Sequence, residues 1–168
     1  MKKRILVAML TMSLAGYAFW DAQESFRPDP HIPTKGDKPT IGLGSTRYED
    51  GRLVKLSDPP ITRKRAIELA RNLNKQEEQR LIRSLPGVYM TQEEFDLYMD
   101  FVGQYGSGTF HKSSIRRHLL AGDHVAACNA LLKYRYAAGY DCSTKGNRRC
   151  SGVWKRQLAR HKKCMESQ

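Results

Sequence analysis

A chain of 168 residues, 40% of them hydrophobic, is long enough for one domain with its own core and too short for several. Twenty-nine Lys and Arg against 17 Asp and Glu give a net charge of +12, which favours an anionic partner: a nucleic acid, an acidic membrane face or an anionic cell wall. No Gly-rich phosphate loop, G-x-S-x-G elbow or H-E-x-x-H sequence occurs, so those enzyme classes are set aside.

In chain order, Lys2, Lys3 and Arg4 precede an uncharged run over residues 5–20 that ends at Asp21. As a helix this run spans about 24 Å, short of a hydrocarbon core of about 30 Å. Ala8, Ala15, Ala18, Thr11, Ser13 and Gly16 make it weakly apolar. Two readings stay open: a signal peptide cleaved after Gly16-Tyr17-Ala18, or an uncleaved and weakly held signal-anchor. Either way the basic start keeps the N-terminus cytoplasmic and sends the chain beyond Trp20 across the membrane.

Pro28, Pro30, Pro33, Pro39, Pro59 and Pro60 exclude long helices from the next stretch. Thr40-Ile41-Gly42-Leu43 and Leu53-Val54-Lys55-Leu56, separated by Glu49-Asp50-Gly51, read as a small hairpin or meander. Helix signals begin at Thr62, where Ile67, Leu69, Ala70 and Leu73 lead a long polar helix that stops at Pro86-Gly87. Thr91 with Glu94 is a capping box opening a helix with Phe95, Tyr98 and Val102, broken by residues 103–108. Ser113 or Ser114 caps another helix that ends at Gly122-Asp123. The next runs from His124 to about Tyr136, and the last from Gly152 to Met165 with Val153, Leu158 and Met165 apolar. The expectation is a mainly helical α+β domain with a small N-terminal β element and a helical C-terminal lobe.

All four cysteines, Cys128, Cys142, Cys150 and Cys164, lie near the C-terminus without the closely spaced pairs of a zinc site. An even count beside an export-like segment points to disulfides, and three pairings are open. Residues 142–165 carry eight Lys or Arg, no acid and only Trp154 as an aromatic. That is a non-specific electrostatic surface more than a nucleic-acid module. The histidines His31, His111, His118, His124 and His161 share no ligand spacing.

A glycosidase needs an acid to protonate the leaving oxygen and a second carboxylate to activate water or attack. The β-rich portion offers Glu24, Asp29, Asp37 and Asp50, with the hydroxyls of Thr34 and Thr40. Here the residues become diagnostic. Glu24-Ser25-Phe26-Arg27 followed by Pro39-Thr40-Ile41-Gly42-Leu43-Gly44 resembles the catalytic region of the phage lysozymes of glycoside hydrolase family 24, which show a Glu and then a Thr that starts T-I-G-x-G. The likeness continues through Thr91-Gln92-Glu93-Glu94-Phe95, Gly106-Ser107-Gly108-Thr109-Phe110, Leu120-Ala121-Gly122-Asp123 and Cys164, covering most of residues 20–165.

The resemblance implies a lysozyme-like fold and cleavage of the bond between N-acetylmuramic acid and N-acetylglucosamine in peptidoglycan, leading to host-cell lysis. It implies Glu24 as the acid and Thr40 as a holder of the attacking water, with no metal or cofactor. Many relatives place the second catalytic residue nine positions after the Glu; here Pro33 stands there. Pro33-Thr34-Lys35-Gly36-Asp37-Lys38-Pro39-Thr40 resembles the relatives with a P-T-x-x-D-x-x-T run, which makes Asp37 the expected second carboxylate and Thr34 its rival. The family also implies bridges Cys128–Cys164 and Cys142–Cys150. Gln104, Leu158 and Arg160 depart from the family's usual residues.

Because the family's Glu ends a helix built from the residues before it, cleavage after Ala18 would remove that helix. The resemblance to signal-arrest-release endolysins therefore favours an uncleaved anchor over residues 1–22, followed by a catalytic domain over residues 23–168. The expected protein is a monomer that first sits in the inner membrane through residues 5–20, with its catalytic domain periplasmic. It is then released to the periplasm to act on glycan strands, with no nucleic-acid role. The alternative is a lysozyme-fold peptidoglycan-binding protein with impaired catalysis.

Overall fold

The computed structural model describes residues 3–21, 25–33, 36–137 and 139–168, with residues 18–21 described by their backbone alone. The uncharged N-terminal run lies within the folded body. Ile5–Leu6 is strand β1, a 3-10 turn follows at Val7–Met9, and helix α1 covers Leu14–Asp21. Ser13 starts α1: its hydroxyl accepts the Gly16 N–H at 3.1 Å, serving a donor that has no partner within the first turn. Among the described residues no helix is long and apolar enough to cross a membrane.

Strand β2, Arg27–His31, pairs antiparallel with β3, Thr40–Gly42, through the registers Arg27↔Gly42 and His31↔Thr40. This corrects the expectation that residues 40–43 pair with 53–56; Leu53 instead bridges Arg47. Pro28 and Pro30 fall where the register shifts, the part of a strand that tolerates a residue without an N–H.

Helix α2, Arg63–Ser84, is capped by the Thr62 hydroxyl, which accepts the Arg65 N–H. Strand β4, Tyr89–Met90, pairs with β1, and α3 spans Gln92–Tyr105 behind a complete Thr91/Glu94 capping box. Helix α3 runs through Gly103 and ends at Gly106, whose φ of 83° suits glycine, so the break is shorter than expected. Helices α4, Ser107–Lys112, α5, Ser114–Leu120, and α6, His124–Ala130, follow, the last two capped by Ser113 and Asp123. Helix α6 ends before the expected Tyr136 in a 3-10 turn at Leu131–Lys133. A hairpin of β5, Tyr136–Ala137, and β6, Tyr140–Asp141, leads to α7, Ser151–Glu166.

The core gathers Leu81, Phe95, Tyr98, Phe101, Phe110 and Leu119 from α2 to α5. Val7, Leu10 and Met12 of the N-terminal run join it. Cys128 is joined to Cys164 across α6 and α7, and Cys142 to Cys150 within one loop.

Helix α7 departs most from its sequence pattern. Leu158 and Met165 are exposed, whereas Gln157 and Arg160 are buried. The cause is Asp100 on α3, fully buried and within 2.5 Å of both the Arg160 and the Arg156 guanidinium. Arg160 also donates to Gln104 at 2.7 Å and lies over the Phe101 and Tyr105 rings. A charge that deep is retained only when its partner and its hydrogen bonds come with it.

Candidate active site

Three segments converge on a cleft of about 310 Å³: the turn after β3, one face of α2, and the corner between α3 and α4. Ser45, Arg47, Asn74, Glu77, Gly103 and Gly106 contribute to its walls. Strand β3 enters it directly, since Leu43 and Gly44 of the T-I-G-L-G segment also line it. Gly42 fits only as glycine: its φ is 67° and an added Cβ would meet the Ala66 Cβ at 2.8 Å. That close approach presses β3 onto α2.

Ion pairs hold the turn region to α2. Arg47 Nη2 reaches Glu77 Oε1 at 2.9 Å across the cleft. The Arg65 guanidinium grips both oxygens of Glu49 at 2.7 Å, and this hydrogen bonding brings the Glu49 carboxyl down to about 2. The cleft wall also carries hydrogen-bonding capacity: Asn74 Nδ2 and Glu77 Oε2 are buried without a hydrogen-bond partner among the described residues. Such polar walls suit a ligand rich in hydroxyl and amide groups.

Of the residues singled out in the sequence, Glu24 and Thr34 lie outside the described residues. In sequence, Glu24 falls between the residues of α1 and those of β2. Thr40 is 7% exposed, and its hydroxyl donates to the His31 carbonyl at 3.5 Å across the β2–β3 pair. Asp37 is exposed, between the two paired strands in sequence. Of the remaining acids, Asp29 is exposed and Asp50 accepts the Arg52 N–H at 2.9 Å in a local turn. The structure thus brings Thr40 against β2, while Asp37 stands clear in solvent. Sequence reasoning missed Asn74, Glu77 and Arg47; their signal was weak, being polar residues on a helix already rich in them.

Comparison with known proteins places the fold among the phage lysozymes. No curated protein sequence matches the chain. Among solved structures, the endolysin from Escherichia coli O157:H7 phage FAHEc1 superposes with a TM-score of 0.77 at 20% identity, covering 95% of this chain and 96% of that one. A point mutant of P22 lysozyme gives 0.66 at 25% identity, over 89% of this chain and 97% of that one. The active form of the P1 phage endolysin Lyz gives 0.71 at 17% identity, over 95% and 87%. The phage lysozyme family model matches residues 21–160, from the residues before Glu24 through β3 and the cleft into α7. The chain belongs to the phage lysozyme family and is a lysozyme-type peptidoglycan hydrolase.

Proposed function

We propose that the chain is an endolysin that hydrolyses the β-1,4 bond between N-acetylmuramic acid and N-acetylglucosamine and so lyses its host. The observation that carries this reading is continuity. The family match takes in Glu24 and the T-I-G-L-G segment together, and that segment runs from β3 into the cleft wall. Glu24 acts as the general acid on the glycosidic oxygen, a role that needs a partly dry setting to keep it protonated. Asp37 is the second carboxylate and stays ionised to stabilise the positive charge of the transition state, with Thr40 holding the attacking water; Thr34 is the rival for the second position. Glu24→Gln lowers bond cleavage by about 10²–10⁴-fold while leaving the fold intact. Muropeptide mass spectrometry measures it, and activity within tenfold of the unsubstituted protein refutes the assignment. Asp37→Asn is equally severe if the loop is aligned correctly; a tolerated Asp37→Asn beside a damaging Thr34→Val moves the role to Thr34.

The same reading includes a monomer whose residues 1–22 have two successive positions. They first lie in the inner membrane with the remaining domain periplasmic, and then fold onto that domain as β1, the turn and α1. In support, the run is uncharged, and Met9 and Leu14 are 75% and 84% exposed when folded. Ala8 and Ala15 are also exposed, so Ala8→Leu with Ala15→Leu strengthens the membrane position and leaves the folded one little changed. The expected result is more protein in the membrane fraction and later lysis; unchanged partitioning refutes the two-position model. Gly16 is unsuited to this test, because a Cβ there would lie 2.7 Å from Asp96 Cγ.

A further inference from the structure

The hairpin before α7 carries charge that the fold does not use. Lys145, Arg148 and Arg149 are exposed on the loop closed by Cys142–Cys150 and make no ion pair among the described residues. Asp141 is the only acid in residues 124–165, and its contacts are local. It accepts the Ser143 N–H at 2.9 Å and hydroxyl at 2.6 Å, and pairs with Arg135 at 3.3 Å. Asn147 completes the frame: its amide donates to the Asp141 carbonyl at 2.8 Å, and its oxygen accepts the Arg149 and Cys150 N–H groups at 2.8 and 3.1 Å. Internal hydrogen bonds and a covalent bridge therefore shape the loop, and its cations stay in solvent.

Two exposed rings stand beside them. Tyr136 is 56% and Tyr140 46% exposed, with the Arg135 guanidinium 5.3 Å from the first ring and that of Arg149 4.5 Å from the second. A stack of rings links this hairpin to the cleft corner. Tyr134, immediately before Arg135, packs on Phe101 at 4.7 Å and Tyr105 at 5.4 Å, and Tyr105 precedes the cleft residue Gly106.

We infer that this disulfide-closed platform is a binding surface for the acidic stem peptides that hang from peptidoglycan strands, next to the cleft that takes the glycan. Guanidinium groups match carboxylates in geometry as well as charge, and flat exposed rings accept the apolar faces of sugars and peptides. A phospholipid surface would need apolar side chains to enter it; residues 142–150 offer none, and the rings of Tyr136 and Tyr140 each carry a polar hydroxyl. The identity of the partner rests on the reading of the chain as a peptidoglycan hydrolase; the binding itself does not require turnover.

The experiment compares the full-length protein with a Lys145→Ala/Arg148→Ala/Arg149→Ala variant and with a Tyr136→Ser/Tyr140→Ser variant. Each is sedimented with intact sacculi, with sacculi stripped of stem peptides by an amidase, and with phosphatidylglycerol vesicles. The unsubstituted protein binds intact sacculi more tightly than stripped ones, and added salt weakens that preference. Removing the three cations lowers affinity for intact sacculi about tenfold, the sum expected of exposed ion pairs, and leaves binding to stripped sacculi unchanged. On intact sacculi the loss falls on KM rather than kcat, and cleavage of a short peptide-free glycan is unaffected. Equal binding to intact and stripped sacculi, wild-type affinity in the triple variant, or tighter binding to vesicles than to sacculi overturns the inference. Peptide-dependent binding by a chain that releases no muropeptides overturns the hydrolase assignment instead and leaves the platform standing.

Discussion

The two ends of the chain are fastened to the same body by different means. At the C-terminal end, α7 is tied to α6 by Cys128–Cys164 and to α3 by the fully buried Arg160–Asp100 pair, and Gln157 donates to the Leu131 carbonyl at 2.9 Å. At the N-terminal end the attachments are noncovalent: Val7, Leu10 and Met12 pack into the core, and carboxylates of α2 and α3 take the polar contacts. Glu78 accepts the Met12 N–H at 2.8 Å and the Thr11 hydroxyl at 3.1 Å. Asp96 accepts both the N–H and the hydroxyl of Ser13. Glu94 faces Arg4 at 3.6 Å, and a two-residue β1–β4 pairing completes the dock. Hydrogen bonds to charged groups are worth about 1.5–3 kcal/mol each and form reversibly. One end is fixed by a covalent bridge and a buried ion pair, and the other is held by noncovalent contacts alone. That asymmetry is what the two-position model of residues 1–22 requires.

The contrast can be tested from its strong side downward. Asp100→Ala leaves Arg160 buried without its carboxylate, and stability falls by about 3–5 kcal/mol in urea unfolding. Replacing the pair together, Asp100→Leu with Arg160→Met, recovers most of that loss; failure to recover any would mean that the pair does more than neutralise itself. Removing the 128–164 bridge with Cys128→Ala and Cys164→Ala costs about 3–4 kcal/mol by the loop-closure argument, read from the same unfolding curves. Glu78→Ala costs about 1–3 kcal/mol by removing the acceptor for Thr11 and Met12. In hydrogen exchange its effect is confined to residues 5–16, with α7 as protected as before. Loss of protection in α7 as well would show that the two ends unfold as one unit and would end the contrast.

The smallest effect is a pH dependence at Glu94, which also faces Arg4. Burial works against ionised Glu94, but hydrogen bonds from His124, the Thr91 N–H and Gln168 outweigh it and hold the carboxyl below its usual range. With the folded pKa below the unfolded one, Glu94 contributes stability above the ordinary carboxylate range. That contribution disappears as the pH falls through the folded value. Stability measured from about pH 5 downward should therefore fall less steeply in Glu94→Gln than in the unsubstituted protein. Equal slopes would show that Glu94 gains no stabilisation from these folded partners. The Glu49–Arg65 pair is also set to vanish in acid, but Arg65 is 39% exposed, so solvent screening keeps its share small.

What could be read along the chain was local. Thr62, the Thr91/Glu94 box and Ser113 announce helix starts because a cap bonds to an N–H only three residues away. Pro86-Gly87 stops α2 for an equally local reason, the missing N–H of proline and the left-handed glycine at φ 72°. The order of Glu24, Asp37 and Thr40 was visible as a motif, since one short stretch of sequence spells it. The partner of β3 was hidden, because Pro28 and Pro30 look like strand breakers until a register shift between Arg27 and His31 excuses their missing donors. The buried face of α7 was hidden more deeply. Its pattern points Leu158 inward, yet Leu158 is 44% exposed and Arg160 is fully buried. Nothing within a few residues of Arg160 explains this, because its partner Asp100 lies 60 residues away on α3. Capping and turn geometry are settled by neighbours in sequence; a buried charge is settled by the carboxylate that tertiary packing brings to it.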